Sequence, residues 1–262
     1  MLRISTLLCL VLIALPHAFG PLRPSSAHDT WLEAGPLRAT AGQFVYVDLM
    51  LGNHGNEHRD FRLASKISLA PVTLTALAPS GQSIDLKPLL IDMGSAEKEG
   101  YWTARCDLPE TGLYEFVHTL DTLHGTIRAI KSAKTYVISQ SPDKPVATTQ
   151  HRDPAPLGHG LELVLRSPVA ELKAGQAIAL QVLRAGKPLP AARVSFIPRG
   201  TTLQSGFDPA YERTSDEQGH VHYVPDRGNV ILAIAHHVAA NESGANYERT
   251  HYSAAIVLPV SN

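Results

Sequence analysis

Thirteen histidines stand against 23 Lys+Arg in a chain of 262 residues with two cysteines, so imidazole is the side chain whose chemistry needs explaining. Imidazole ligates Ni, Co, Cu and Zn and titrates near neutral pH, and an excess of it points to metal or proton chemistry. Position singles out His28. If export processing cuts after Ala27, the α-amine and ring of His28 belong to one residue and can close a chelate on a single ion. That amine has a pKa of about 8 and gives up its proton readily. A second imidazole would complete a histidine brace.

Several segments could supply it. Gly52-Asn53-His54-Gly55-Asn56-Glu57-His58 follows the strand-like run Phe44–Leu51 as a polar loop. Its glycines argue against a helix; His54, nearer the strand end, is the candidate, and His58 reads as a solvated loop residue. In Leu113–Leu120, alternation puts Tyr114, Phe116, His118 and Leu120 on one face. His118 is then either a hydrogen-bonded core residue or a ligand kept neutral by desolvation. His124 follows in a segment of turn composition. In the second half, His220 and His222 share one side of a strand and read as a polar stripe. His236 and His237 face opposite ways, which leaves His236, with His251, as candidates from the inter-domain side. The candidate metal set is His28, His54, His118, His124, His236 and His251.

The compartment follows from the first residues. Met1-Leu2-Arg3 is basic, Leu7–Leu15 is uninterruptedly apolar, Pro16 closes the run, and Ser25-Ser26-Ala27 offers the small residues of a cleavage site. A cut after Gly20 is the alternative, but Pro21 would sit badly behind it. The expectation is a signal peptide over 1–27 and a periplasmic mature protein. No later stretch approaches the ~20 apolar residues that a membrane-spanning helix needs. Cleavage takes Cys9 with it, leaving Cys106 alone in a strand-like run and therefore expected to be buried. The formal charge of −1 gives no footprint for nucleic acid, and 44% hydrophobic residues suffice to build a core.

The elements that must position these histidines are strands. Short β-branched and aromatic runs alternate with turn signals: Val72–Leu77, Tyr101–Cys106, Ile127–Ile138, Leu161–Leu165 and Ala254–Val260. Two phrases recur. Ala41-Gly42-Gln43 and Ala174-Gly175-Gln176 each open a strand, and Pro109-Glu110-Thr111-Gly112 is echoed by Pro225-Asp226-Arg227-Gly228. Between the copies, 141–160 is rich in Pro, Ser, Thr and Gly. The reading is all-β, two tandem immunoglobulin-like β-sandwich domains after a cleaved signal peptide, over 28–140 and 161–262.

A signal peptide ending in Ala27, then His28-Asp29-Thr30-Trp31-Leu32-Glu33 and Ala41-Gly42-Gln43, resembles an exported bacterial family of unknown function named for a nickel-uptake substrate-specific region. The likeness extends to Leu172-Lys173-Ala174-Gly175-Gln176, Gly186-Lys187-Pro188-Leu189 and Tyr252-Ser253-Ala254, and so covers most of the mature chain. It implies periplasmic metal handling, with nickel or cobalt as cargo passed to an importer or receptor of the envelope. Two other classes compete: a copper oxidoreductase built on the brace, and a metal-free tandem-sandwich binding module. Hydrolase motifs are absent: there is no Gly-x-Ser-x-Gly elbow, His-Glu-x-x-His helix or phosphate-binding Gly loop.

Overall fold

A computed structural model describes residues 28–52, 60, 62–142 and 156–262; the expected signal segment and most of the expected linker lie outside them. Among the described residues eighteen strands, numbered in chain order, form three sheets. The first sheet runs β1 (Asp29–Ala34), β3 (Phe44–Gly52), β8 (Trp102–Asp107) and β7 (Ile91–Asp92), with β4 (Leu63–Ser65) beside β3. The second starts at β15 (Glu212–Thr214), β14 (Arg193–Pro198), β17 (Asn229–Ala239) and β18 (Arg249–Val260). It continues through β10 (Ile127–Gln140), β9 (Gly112–His124), β5 (Val72–Leu77) and β6 (Ser83–Asp85), with β2 (Arg38–Thr40) at the far end of β10. The third holds β11 (Leu161–Leu165), β12 (Ile178–Arg184), β13 (Lys187–Pro188) and β16 (His220–Tyr223).

The chain is all-β, with two β-sandwiches that share their middle layer. One core, with Trp31, Leu49, Leu74 and Phe116, lies between the first and second sheets, and Leu232, Ile234, Ala255 and Val257 reach it from the second half of the chain. The other core, with Leu163, Leu180 and Phe196, takes Tyr136 and Ile138 of β10 and Ala233, Ala254 and Ile256 from the opposite face of the same sheet. A strand buried on both faces loses the polar alternation of an exposed one, and β10 is accordingly buried from Lys131 to Ser139. What joins the halves is the parallel pairing of β10 with β18, Ile127 opposite Arg249 through Lys134 opposite Ile256.

The repeated phrases occupy matching places. Gly42 and Gly175 both adopt positive φ, at 82° and 76°, where a side chain would be strained. Each donates its N–H across the sandwich, Gly42 to the Leu108 carbonyl and Gly175 to the Pro225 carbonyl, both at 2.8 Å. Those acceptors belong to, or directly precede, the two copies of the second phrase, so each half closes by the same turn-to-turn contact. Cys106 faces the first core, where burial pushes its thiol up to about 11.

Candidate metal centre at the head of the first strand

The burial pattern of β1 has its cause in where the strand lies. Pairing with β3 in the register Asp29 opposite Gly52, it also packs across β10, β18 and β9, so Asp29, Thr30, Trp31 and Leu32 are all buried. His28 thus enters the fold directly over the shared sheet.

Strand pairing fixes which residues of that sheet it meets. Lys131 on β10 stands opposite Leu120 on β9 and Ser253 on β18, and Ser253 stands opposite His236 on β17. One step along, Ala129 stands opposite Thr122 and His251. Residues paired across a sheet share a face, and residues two apart in one strand share it too. Leu120, Ala133, Ile234 and Ala255, which belong to the first core, mark that face. Lys131, His118, His124, His236 and His251 therefore all project from the side that β1 covers. The histidines come from both halves of the chain, on strands about 4.8 Å apart.

Specific bonds tie the head of β1 down. The Lys131 amine donates to the carbonyl oxygen of His28. Burial pushes the pKa of this amine down, against which the nearby Asp29 carboxylate pulls it up. The Oδ1 atom of Asp29 lies 2.8 Å from Nε2 of His236. His251 accepts a hydrogen bond at its Nε2 from Nε of Arg249 at 3.0 Å. Burial first, then the charges of Arg249, His236 and Lys131, hold its ring below the usual imidazole range.

Beside this cluster opens a cavity of about 310 Å3 whose polar lining includes His28, His124, Lys66 and Lys131. Of the six histidines that sequence reasoning selected, the structure brings His28 and His124 to one cavity. His124 is the last residue of β9 rather than part of a turn, because the hairpin partner β10 pairs with it through Ile127. His236 and His251 flank the head of β1. His118 lies deeper: fully buried, it donates from Nδ1 to the Thr73 carbonyl at 2.9 Å, and its Nε2 has no hydrogen-bond partner among the described residues. Burial pushes its pKa down to about 4. His54 and His58 lie outside the described residues. His220 and His222 sit on β16 of the third sheet, away from this face. Among the described residues no three His, Cys, Asp or Glu side chains are placed to hold one ion together.

Sequence reasoning missed two participants, Asp29 and Lys131. The available signal was lysine, at 131 and again at 134, inside the strand-like run Ile127–Ile138, a place where a buried ammonium needs a partner.

Comparison with known proteins gives a family. The D0–D1 domain of intimin is 13% identical, with 88% of this chain and 97% of that one covered and a TM-score of 0.26. The adhesin InvE of Yersinia pseudotuberculosis is 15% identical over 87% of this chain and 58% of that one, with a TM-score of 0.24. A DUF4785 family protein of Legionella pneumophila is 12% identical over 78% of this chain and 51% of that one, with a TM-score of 0.31. No curated protein matches. The family model for a domain of unknown function, DUF4198, matches residues 25–239.

Proposed function

This chain belongs to the DUF4198 family, a domain of unknown function, and from that premise we propose that it is a periplasmic divalent transition-metal-binding protein assisting metal uptake or homeostasis. Nickel or cobalt is the cargo that the resemblance noted in the sequence implies. The observation that carries the reading is the sharing of one cavity by His28, held through its carbonyl by Lys131, and His124. With His28 as the first residue, an amine and two imidazoles become available there. That donor set suits borderline divalent ions, and its small size leaves coordination positions open for exchange.

The head of β1 is held by the protein's own groups. Asp29 grips His236 and Lys131 grips the backbone of His28, so the first residue's donors are presented without a large ordering cost. Anchoring by His236 also makes the second half of the chain part of the site's support.

Intact mass of the exported protein, followed by nickel titration calorimetry, tests the proposal. The expected first residue is His28, and one glycine added ahead of it, or His28→Ala, lowers affinity about a hundredfold by removing ligands from the chelate, at roughly 1.4 kcal/mol per tenfold. Equal binding by all three proteins, or a first residue other than His28, overturns it. Copper will bind more tightly than nickel to any such donor set, so the comparison is made between variants and not between metals.

A further inference from the structure

Away from the candidate metal centre, on the second-core face of the shared sheet, an amine and two carboxylates are shut in together. Lys134 on β10 is 1% exposed, Glu115 on β9 7% and Glu162 on β11 0%. The amine nitrogen lies 3.2 Å from Oε1 of Glu115 and 3.4 Å from Oε2 of Glu162. Strand pairing holds that geometry. Glu115 stands opposite Tyr136, two residues from Lys134 on the same face of β10, while Glu162 reaches them from the third sheet.

The three side chains bring one positive and two negative charges to a place nearly closed to water. A reaction that neutralises an ammonium and a carboxylate together recovers their desolvation cost there, a gain that solvent would not give. Condensation to an amide is such a reaction. The two carboxylates are set for different parts in it. Glu162 accepts the backbone N–H groups of Leu157 and Gly158 at 2.7 and 3.3 Å, which favour its ionised form. Glu115 stands beside the Tyr136 hydroxyl, which burial keeps protonated and able to donate.

We infer that Lys134 and Glu115 condense to an intramolecular amide that cross-links β10 to β9. The freshly folded chain holds the ion pair, and the bond forms from it. Glu162 takes one proton of the ammonium and passes it to Glu115. The neutral amine then attacks Cδ of the Glu115 acid, with Tyr136 donating to the oxygen on which charge develops. The C–OH bond breaks, the hydroxyl leaves as water with a second amine proton, and the third hydrogen stays on the amide nitrogen. Glu162 ends as it began, and nothing is oxidised or reduced. The cross-link is independent of the metal reading.

Intact mass under denaturing conditions and a peptide digest, both on the full mature protein when fresh and after days of storage, test the inference. The aged chain is expected to weigh about 18 Da less than its sequence, one water, and to yield a peptide pair joined between Lys134 and Glu115. Glu115→Gln should lose about 17 Da instead, as ammonia, because its carboxamide gives the same bond. Glu162→Gln should slow the loss about a hundredfold, the scale of a removed acid–base group, and an unchanged rate overturns its part as proton relay. Recovery of Lys134 from the aged wild-type chain only in an unmodified linear peptide overturns the cross-link, however the variants fold. A bond from Lys134 to Glu162, or loss of water from Glu115→Gln, overturns the choice of carboxyl.

Discussion

Strand β10 carries two lysines three residues apart, and the odd spacing sends them to opposite faces of the shared sheet. On the second-core face Lys134 is enclosed between Glu115 at 3.2 Å and Glu162 at 3.4 Å. Glu162 in turn accepts the backbone N–H groups of Leu157 and Gly158 at 2.7 and 3.3 Å. The neighbouring Tyr136 hydroxyl, desolvated and beside Glu115, has its pKa pushed well up. Lys131, on the other face, has a backbone carbonyl, a carboxylate already engaged with His236, and an open cavity. A buried charge that the fold neutralises from all sides serves the fold. A buried charge left beside a cavity and a row of histidines is available to something that the chain does not itself contain.

The contrast can be broken at either lysine. Lys134→Met should cost about 3–5 kcal/mol in urea unfolding, because two buried carboxylates lose the cation enclosed between them. A cost below 1 kcal/mol would mean that the closed network contributes nothing to the fold. Next in size is the acid response of His118. Its pKa is depressed to about 4 in the folded state and is near 6.5 when unfolded, so the unfolded chain binds the proton first and stability falls as pH drops from 6.5 toward 4. The loss from this residue should approach about 3 kcal/mol, and denaturation of His118→Leu across that range should lack this component of the slope. The smallest effect belongs to Lys131→Met, about 1 kcal/mol, since methionine fills the volume and Asp29 keeps His236. A Lys131 variant as unstable as the Lys134 one would erase the distinction between the two faces.

Much of the architecture was legible because local chemistry wrote it. The paired Gly turns at 42 and 175 and the echoed phrases at 109 and 225 marked two copies of one plan, and Val72–Leu77 and Leu161–Leu165 were bounded correctly as strands. The shared sheet was not legible. Parallel pairing of β10 with β18 leaves no turn between them to read, and a strand buried on both faces shows no alternation from which to infer a neighbour. The site divides likewise. His28 stood out by its place behind Ala27, whereas its meeting with His124 depends on β9 running four residues past Leu120, through Asp121, Thr122 and Leu123, which composition assigned to a turn. His118 satisfied the description of a core histidine through the Thr73 carbonyl, a partner 45 residues away that periodicity cannot supply.

The insertion of the final strand between β10 and β17 has a temporal consequence. Contacts such as that from Thr135 to Val257 span 122 residues, so their closure waits until Val257 has been made. Until β18 docks, the first half lacks one wall of its own interior, and the floor beneath β1 is incomplete. Assembly is therefore governed by the arrival of β18, and a ribosome-bound fragment ending before Arg249 would lack the strand that joins β10 to β17.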